Sequence, residues 1–409
     1  MDYPKLRNVE ALPVQTQGRT MICLRDPQGL TENLVFLPPD LFFIVRLFDG
    51  RHSLLDIQTA YTRRFGSLLD TERIQELVRQ LDEQYLLESD RFRERKQEQD
   101  CSFRALEVRP AMHAGEAYAA DPEELARQLD AFFTAPEGPG EPSPELRADR
   151  LTGIIAPHID LERGGTCFAW AYKELIENTS ADLFVLLGTV HVPTENLFAL
   201  TRKDFETPLG VVKTERGFVE SLAIPSADLF ADEPVHRREH SLEFQIVFLQ
   251  HLLASRRDAR IVPILCGSFH ELLSDDHGPS EDPRVVEFVD ALRRTIASTG
   301  ERVCLIGGAD LAHVGPRFGG REPLTPASLQ SVEEQDREML RYVERLDPEG
   351  FFRFIAREED RRNICGLSPI YTMLRAIDAT EGKLLRYDKA VDPSAQSAVT
   401  FAGLAFYGG

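Results

Sequence analysis

The sequence predicts a two-domain α/β protein: a mixed or parallel β-sheet covered by helices, preceded by a smaller N-terminal domain. At 409 residues the chain is longer than one hydrophobic core usually serves. Beyond about residue 150, short apolar runs typical of buried strands alternate with longer segments typical of helices. A charged and polar stretch, 89–104, separates this region from the first residues and is predicted to be a linker or a solvated helix end.

The first domain, residues 1–96, is predicted to combine short strands with three helices. The predicted elements are strands 20–24 and 34–37 and helices 41–48, 53–64 and 70–85. Ser53 is a typical helix N-cap, and the third helix has apolar residues at helical spacing. Three short helices with strands predict a winged-helix-like domain, and a generic helical interaction domain fits the same pattern.

The second domain, residues 107–409, is predicted from alternating strands and helices. The predicted elements are helix 122–133, strand 152–156, helix 166–178, strand 183–187, helix 240–255, strand 260–265, helix 284–297, strand 302–306, helices 329–345 and 367–380, and strands 383–391 and 398–407. The first strands are apolar throughout, which is typical of a sheet buried on both faces. The last two strands are predicted to pair antiparallel.

Composition excludes several classes of function. A formal net charge of −20 and a pI near 5.0 argue against sequence-independent binding of nucleic acid, which needs basic surfaces. No apolar run approaches the ~20 residues that cross a bilayer, and the first residues lack a signal-peptide pattern. We therefore expect a cytoplasmic protein that binds neither nucleic acid nor membrane.

Three histidines and one cysteine lie where apolar runs give way to loops. His158 and His191 follow two predicted strands, His313 follows a third, and Cys365 precedes the predicted helix 367–380. Open α/β sheets keep their chemistry at the carboxyl ends of strands. A helix N-terminus would also lower the pKa of Cys365 and favour the thiolate that binds metal. Imidazole, thiolate and carboxylate together predict a transition-metal site. The spacing alone is equally consistent with structural roles for these residues, in which His158 caps a strand and His191 binds loop backbone.

The region from Arg109 onward resembles the Memo family, the protein B component of the AmmeMemoRadiSam system. The motifs that carry the resemblance are Met112-His113-Ala114-Gly115, Ile155-Ala156-Pro157-His158, Leu187-Gly188-Thr189-Val190-His191-Val192-Pro193, Glu239-His240-Ser241-Leu242-Glu243, Asp310-Leu311-Ala312-His313 and Ile364-Cys365-Gly366. The resemblance implies an αβα sandwich of the class III extradiol-dioxygenase type. It also implies that His158, His191 and Cys365 bind iron or copper, with zinc as a further candidate.

Four other residues of these motifs are predicted to act around the metal. His240 and Glu243 are three positions apart at a helix start and share a face, and Asp310 and His313 lie in another strand-end loop. A carboxylate can orient a ligand histidine, and a second histidine can move protons near neutral pH. The alternatives are a backbone contact for His240 and a solvated ion pair of Glu243 with Arg237 or Arg238. The remaining histidines are predicted to lie on the surface: His52, His236, His251, His270 and His277.

The chain departs from the Memo pattern around the predicted pocket. Residues Ile159 and Asp160 stand where Ala-Gly is usual, Ala117 lies where an aromatic residue is expected, and Gln245 replaces a frequent histidine. We therefore expect an altered pocket rim.

The sequence leaves two functions open. One is a metal-dependent redox or oxygen-using enzyme, resembling a dioxygenase, that acts with a radical-SAM protein and an AMMECR-type protein. The other is a protein that uses the same pocket to bind a peptide or partner without turnover. The order of helices around Asp49-Gly50 and Tyr85-Leu86-Leu87 also resembles PqqD-like modules, which implies a peptide ligand for residues 1–96.

Overall fold

The chain forms two compact units, Met1–Ala105 and Leu106–Gly409. The computed structural model describes residues 1–16, 18–143, 145–253, 259–274, 278–320 and 322–409. Among these residues, no helix combines the length and the hydropathy that crossing a lipid bilayer requires. The first unit extends beyond the expected residue 96 because the stretch that follows is helical.

The first unit places four helices against a three-stranded antiparallel sheet. Its elements are β1 (Glu10–Thr16), β2 (Arg19–Arg25), β3 (Val35–Leu37), α1 (Pro39–Val45), α2 (Leu54–Phe65), α3 (Thr71–Glu83) and α4 (Asp90–Arg104). The strand order is β1-β2-β3. Ser53 caps α2 as predicted, since its side chain accepts a hydrogen bond from the Asp56 N–H. The apolar face of α3 packs into one core with β2, α1 and α2.

Helix α4 replaces the linker that the charged sequence predicted. Ser89 caps it by accepting a hydrogen bond from the Phe92 N–H, and the Arg7 guanidinium lies 4.3 Å from the centre of the Phe92 ring. Phe103 is its buried residue. The linker alternative is therefore wrong, whereas the other alternative, a solvated helix end, agrees with the structure. The two were hard to separate because a helix with so little apolar surface resembles a linker in composition.

The second unit is a large mixed sheet with helices on both faces. Its strands are β4 (Val108–Arg109), β5 (Leu151–Ala156), β6 (Leu183–Thr189), β7 (Phe198–Leu200), β8 (Asp204–Thr207), β9 (Gly210–Thr214), β10 (Arg260–Cys266), β11 (Val303–Gly308), β12 (Asp310–Val314), β13 (Glu381–Asp392) and β14 (Ser397–Tyr407). Its helices are α5 (Pro122–Thr134), α6 (Leu161–Asn178), α7 (Arg216–Ser221), α8 (His240–Leu253), α9 (Pro283–Ser298), α10 (Pro326–Glu344), α11 (Pro348–Arg357) and α12 (Leu367–Ala376).

Strand pairing places the site-bearing strands at the centre of the sheet. The order is β12-β14-β5-β11-β6-β10-β9-β8-β4, with β13 beside β14 and β7 beside β10. Strands β5, β11, β6 and β10 are parallel, so their carboxyl ends meet at one edge. Strand β14 runs antiparallel between β5 and β12, and it pairs antiparallel with β13 as predicted.

Two hydrophobic cores lie on opposite faces of this sheet. Along β6, Leu183, Val185 and Leu187 face one core while Phe184 and Leu186 face the other, as the alternation of a strand requires. Helices α5, α6 and α8 cover one face, and α7 and α9 to α12 cover the other. The unit is therefore an αβα sandwich, with the predicted strands and helices at or near their predicted positions.

The sequence did not predict the shorter elements β4, β7, β8, β9, α7 and α11, and it wrongly placed Asp310 and His313 in a loop, where the structure has β12. Most of these strands have only two to five residues, too few for a clear alternation. The predicted end of helix 240–255 lies outside the described residues.

We expect a fragment that starts at Leu106 to fold alone, because its two cores are built from its own residues. The fragment should be soluble and should unfold cooperatively in a thermal or urea transition followed by circular dichroism. An aggregated fragment, obtained under conditions in which the full chain is soluble, would show that the two units depend on each other.

Candidate metal centre

The carboxyl ends of β5, β6 and β11 bring the predicted ligands together. His158 lies two residues beyond β5, His191 two residues beyond β6, and Cys365 just before α12. The Cys365 Sγ is 3.3 Å from the His158 Nε2. One ligand atom from each of the three residues lies within 4.8 Å of the others. The sequence motifs thus converge on one cluster.

Glycines at the strand ends let the surrounding backbone approach closely. A Cβ at Gly308 would lie 2.6 Å from the Ser241 carbonyl oxygen, and one at Gly188 would lie 2.5 Å from the Ser241 Oγ. A Cβ at Gly366 would collide with the Asp310 carbonyl oxygen. The first turn of α8 and the turn after Cys365 therefore pack directly against the sheet edge, which no larger residue at these positions would permit.

His158 has the tautomer that a metal ligand needs. Its Nδ1 lies 3.0 Å from the Gly308 carbonyl oxygen, an acceptor, so Nδ1 carries the hydrogen and Nε2 is left with a lone pair. The side chain is 2% exposed. Burial, and then the neighbouring His191, lower the pKa of His158 to about 3. The imidazole is therefore neutral at physiological pH, with Nε2 directed toward Cys365.

Glu239 orients His191. The His191 Nδ1 lies 3.0 and 3.1 Å from the two carboxylate oxygens, and the His191 backbone N–H donates to the same carboxylate at 3.0 Å. Burial disfavours the charged form of His191, yet the Glu239 charge and this hydrogen bond raise the pKa of His191 overall. Burial acts against ionisation of Glu239 too, but His191 and His240 hold its pKa well below the usual range.

Sequence reasoning missed Glu239, although it lies in a quoted motif. Its signal was its position immediately before α8, where a carboxylate also accepts a hydrogen bond from the N–H of Ser241, here at 3.0 Å. A carboxylate bound to the Nδ1 of a histidine fixes which nitrogen faces a metal and raises the basicity of that nitrogen.

Asp310 and His313 lie beside the cluster, on β12. The Asp310 Oδ1 accepts hydrogen bonds from the backbone N–H groups of His158 (2.9 Å) and Ile159 (3.2 Å). Its Oδ2 is 3.7 Å from the His158 Nε2. Burial raises the pKa of Asp310 to about 6 and lowers the pKa of His313. The Asp310 carboxyl can therefore gain or lose a proton close to neutral pH.

Cys365 departs from the expected ionisation. Burial, followed by the charge of Asp310, raises the pKa of the Cys365 thiol well above its usual value. The predicted lowering by the dipole of α12 is thus wrong for the protein without an ion, because desolvation and carboxylate charge are the larger effects. A bound cation reverses this balance, since a coordinating thiol is deprotonated.

His240 joins the cluster, whereas Glu243 faces other partners. The His240 ring lies 4.8 Å from the His191 ring and 5.4 Å from the His158 ring, measured between centroids. Burial lowers the pKa of His240 to about 3. The Glu243 carboxylate is bonded to the Arg109 guanidinium and the Tyr118 hydroxyl and accepts from the His113 N–H at 2.9 Å.

These contacts favour a structural role for Glu243 over a catalytic one. They also identify its ionic partner as Arg109, not Arg237 or Arg238, which were the alternatives considered from the sequence. Arg109 is 127 to 134 positions from its partners in the sequence, so local spacing could not reveal it.

Comparison with known proteins assigns the chain to a family. The family model described as Memo-like protein matches residues 109–405. The chain belongs to the Memo family. It is 28% identical over 408 residues to a MEMO1 family protein of Aquifex aeolicus, which covers 99% of this chain and 100% of that protein. It is 29% identical over 308 residues to one of Methanopyrus kandleri, which covers 74% of this chain and 99% of that protein.

A Thermus thermophilus relative is 26% identical over 355 residues, covering 86% of this chain and 98% of that protein. Similarity to the Aquifex protein spans both units, whereas the Methanopyrus match covers almost all of a shorter protein. Memo-family chains therefore differ in the length of sequence that they have outside the shared region.

The residues that depart from the Memo pattern lie close to the cluster or to the elements that carry it. Gln245 is fully buried and donates to the Pro157 carbonyl oxygen at 2.7 Å, which steadies the loop before His158. Ile159 is 5% exposed. Asp160 caps α6 and pairs with Arg163. Ala117 is partly buried, and its N–H donates to the His113 carbonyl oxygen. The altered pocket rim stays a prediction.

The structure contains a second candidate ligand set that shares His191 with the first. His191, Glu239 and His240 each offer one ligand atom, and these atoms lie within 4.8 Å of one another. However, Glu239 already accepts hydrogen bonds from His191 and Ser241. Among the described residues, the set of His158, His191 and Cys365 is therefore the better candidate for a metal site, because its ligand atoms are less engaged.

The histidines predicted to lie on the surface divide into several cases. His236 is buried, so that prediction is wrong: its Nε2 lies 3.0 Å from the Ala199 carbonyl oxygen. His277 lies outside the described residues. His270 is exposed, His52 is partly exposed, and His251 is partly buried beside Asp130.

His270 is paired with the buried carboxylate of Asp360, and this pair should make stability depend on pH. The hydrogen bond to Asp360 raises the pKa of His270 in the folded state. Its stabilising effect is complete below the unfolded pKa of about 6.5 and is lost as pH rises through the folded value. We expect His270→Gln to lower the free energy of unfolding more at about pH 6 than at about pH 9. Urea denaturation at both pH values tests this, and an equal loss at both would contradict it.

Proposed function

We propose that this Memo-family protein is a metal-dependent redox or oxygen-using enzyme, in which His158, His191 and Cys365 bind iron or copper, with zinc as the further candidate. The observation that carries the proposal is the convergence of these three side chains at the sheet edge. In both histidines Nδ1 is already engaged, by a carbonyl oxygen or a carboxylate, so Nε2 remains for the ion.

The donor set fits a first-row transition ion. Two neutral imidazoles and a thiolate suit iron, copper and zinc, and a set of three leaves coordination positions open. Bound there, iron or copper would supply one-electron chemistry and positions for dioxygen or substrate.

The residues around this set would handle protons. The Asp310 Oδ2 lies 3.7 Å from the His158 Nε2. Because the pKa of Asp310 is about 6, its carboxyl group can hold or release a proton near neutral pH. We propose that Asp310 and His313 relay protons and that the neutral His240, whose ring packs beside those of His158 and His191, holds these two ligands in position. Glu243, in contrast, would support the segment that carries His113.

Metal analysis tests the central claim. The full chain, purified without added metal, should contain close to one equivalent of iron, copper or zinc. Chelation should remove the ion, and addition of Fe(II) or Cu(II) should restore one equivalent. Dioxygen consumption by the reloaded protein would distinguish an enzyme from a binding protein. A folded protein that neither contains nor takes up any of these ions would contradict the proposal.

We further propose the radical-SAM and AMMECR-type partners and a cytoplasmic location. The partners are supported by family membership. The location fits the free cysteines, since thiols stay reduced in the cytoplasm. Co-purification of the tagged full chain with a radical-SAM protein from its own cells would support the partnership, whereas recovery without one would count against it.

The N-terminal unit supports a separate binding function, distinct from binding of a peptide or partner in the Memo pocket. We propose that it is a winged-helix-like, PqqD-like module that binds an extended peptide along β3. Among the described strands β3 is an edge strand, paired only with β2. Leu34, just before it, and Phe36, within it, are about half exposed. An exposed edge can accept a further strand. Peptide binding by the full chain should survive chelation of its metal, and loss of binding on chelation would instead point to the Memo pocket.

A further inference from the structure

The segment that precedes Cys365, residues 358–364, has an unusual backbone. Three of its non-glycine residues have left-handed φ angles: Glu359 (53°), Asp360 (44°) and Asn363 (50°). Such residues cost about 1–3 kcal/mol each and persist only where their surroundings hold them in place. The contacts of this segment therefore have to supply that support.

Asp360 closes the segment just ahead of the cysteine. Its Oδ1 accepts a hydrogen bond from the Ile364 N–H at 2.8 Å, and its carbonyl oxygen accepts one from the Asn363 N–H at 2.8 Å. Its Oδ2 contacts the Nε2 of His270. The side chain is 3% exposed, so these bonds form away from competing water.

The next residues hold β12 from both sides of His313. The Arg362 carbonyl oxygen accepts from the His313 N–H at 2.7 Å, and the Asn363 Nδ2 donates to the His313 carbonyl oxygen at 3.1 Å. The segment is thereby tied to the strand that begins with Asp310.

A buried ion pair strengthens the same connection. The Arg362 guanidinium contacts the Asp336 carboxylate on α10, and both side chains are almost fully buried. Asp336 also accepts from the Thr400 Oγ1 at 2.6 Å, and that oxygen accepts from the Ala312 N–H at 2.9 Å. Segment, helix and strand are therefore one hydrogen-bonded network.

Beyond the segment, two more hydrogen bonds hold Cys365 against the sheet. Its carbonyl oxygen accepts from the Thr189 Oγ1 at 3.2 Å, and the Gly366 N–H donates to the Asp310 carbonyl oxygen at 3.1 Å. The thiol is thus held 3.3 Å from the His158 Nε2 by the protein alone.

We propose that residues 358–364 are a clamp that sets the position of Cys365 before any ion binds, and that Asp360 and Asn363 are positioning residues of the metal centre. This inference rests on the proposed function, because it assigns the clamp to the ligand set of His158, His191 and Cys365. A ligand that is already in place loses less conformational freedom on binding, so metal affinity should depend on the clamp.

The test compares clamp variants by zinc affinity and by thiol reactivity. All proteins carry Cys101→Ser, because Cys101 is the exposed cysteine in the described part of the chain. Zinc affinity is measured in competition with a chromogenic chelator, and Cys365 reactivity as the rate of alkylation by iodoacetamide in metal-free protein. Asp360→Ala should weaken zinc binding by about 10- to 100-fold, and it should speed alkylation.

Two variants separate positioning from general damage. Asp360→Asn should keep most of the affinity, because its amide oxygen can still accept from the Ile364 N–H. Asn363→Gly should keep the fold, because glycine adopts the left-handed region readily, yet it should bind zinc more weakly and be alkylated faster. As a stability control, Leu125→Ala removes buried volume from α5 on the face opposite α12 and should leave zinc affinity unchanged.

The clamp and the proposed function fail in different ways. If Asp360→Ala and Asn363→Gly bind zinc and react with iodoacetamide as the parent does, while Cys365→Ser loses zinc, the clamp is refuted and the ligand set stands. If Cys365→Ser keeps its zinc, the proposed function itself fails. Should Asp360→Ala not fold, Asn363→Gly decides the question alone.

Discussion

Replacing Cys365 with serine should abolish stoichiometric metal binding and leave the fold intact. Serine is close to cysteine in size, and position 365 is partly exposed before α12, so little packing is lost. A serine hydroxyl is a far poorer ligand than a thiolate for these ions. Metal per chain, measured by elemental analysis, should fall to background while the thermal midpoint of the metal-free protein stays close to that of the parent. His158→Ala and His191→Ala should also lose the metal.

Cys266→Ser is the matched control. Cys266 is fully buried at the end of β10 in a largely apolar core, with the Thr372 hydroxyl as a polar neighbour. The serine hydroxyl introduced there should lower the free energy of unfolding by about 1–3 kcal/mol, toward the lower end if it bonds to Thr372. Metal content should stay unchanged. If Cys365→Ser instead binds metal like the parent, Asp310, His313 and Asp160 have to be reconsidered as ligands. Of these, Asp310 has its Oδ2 3.7 Å from the His158 Nε2, whereas Asp160 is occupied as the cap of α6.

Arg109→Met should lower the free energy of unfolding by about 3–5 kcal/mol, because it leaves the buried Glu243 carboxylate without its cation. Both side chains are essentially inaccessible to solvent. Arg109 also donates to the His236 carbonyl oxygen at 2.7 Å and to the Glu239 carbonyl oxygen at 3.0 Å. Urea denaturation followed by circular dichroism measures the loss.

The double variant Arg109→Met with Glu243→Met should recover much of that loss, since no unpaired charge remains. Tyr118 would then lack its acceptor, so recovery should be incomplete. A loss well below about 1 kcal/mol for Arg109→Met would show that Glu243 does not need a counter-charge. That result would reopen the catalytic role predicted for Glu243 from its place on the first turn of α8.

The sequence predicted the central sheet well because buried strands and their ends leave a local signal. His158 and His191 were found because each follows an apolar run, and the structure places both beside Cys365. Their roles as ligands stay predictions. The predictions that failed concern interactions with residues distant in sequence. Arg109 and Glu243 pair across 134 positions. Desolvation has a larger effect on the pKa of Cys365 than the dipole of the nearby helix.

Two further misses have the same origin. Glu239 was overlooked because a carboxylate next to a histidine in sequence gives no sign of which imidazole it will contact in space. His236 was placed on the surface because its neighbours in sequence are polar, yet the fold buries it against β7. The local sequence does not show which distant segment will bury a side chain or which distant charge will shift its pKa.

The position of β14 has a consequence for the order of events during synthesis. This strand lies between β5, which leads to His158, and β12, which carries Asp310 and His313. Thr152 on β5 bonds to Phe406 on β14 across 254 positions in sequence. A nascent chain that has already exposed β5 must therefore keep that edge unpaired until β14 has been translated. Until then, the strand that joins the part of the sheet bearing His158 to the part bearing Asp310 is missing. The pocket is therefore completed only after β14 has been translated. Any chaperone that protects the open edge of β5 has to act before β14 pairs with it.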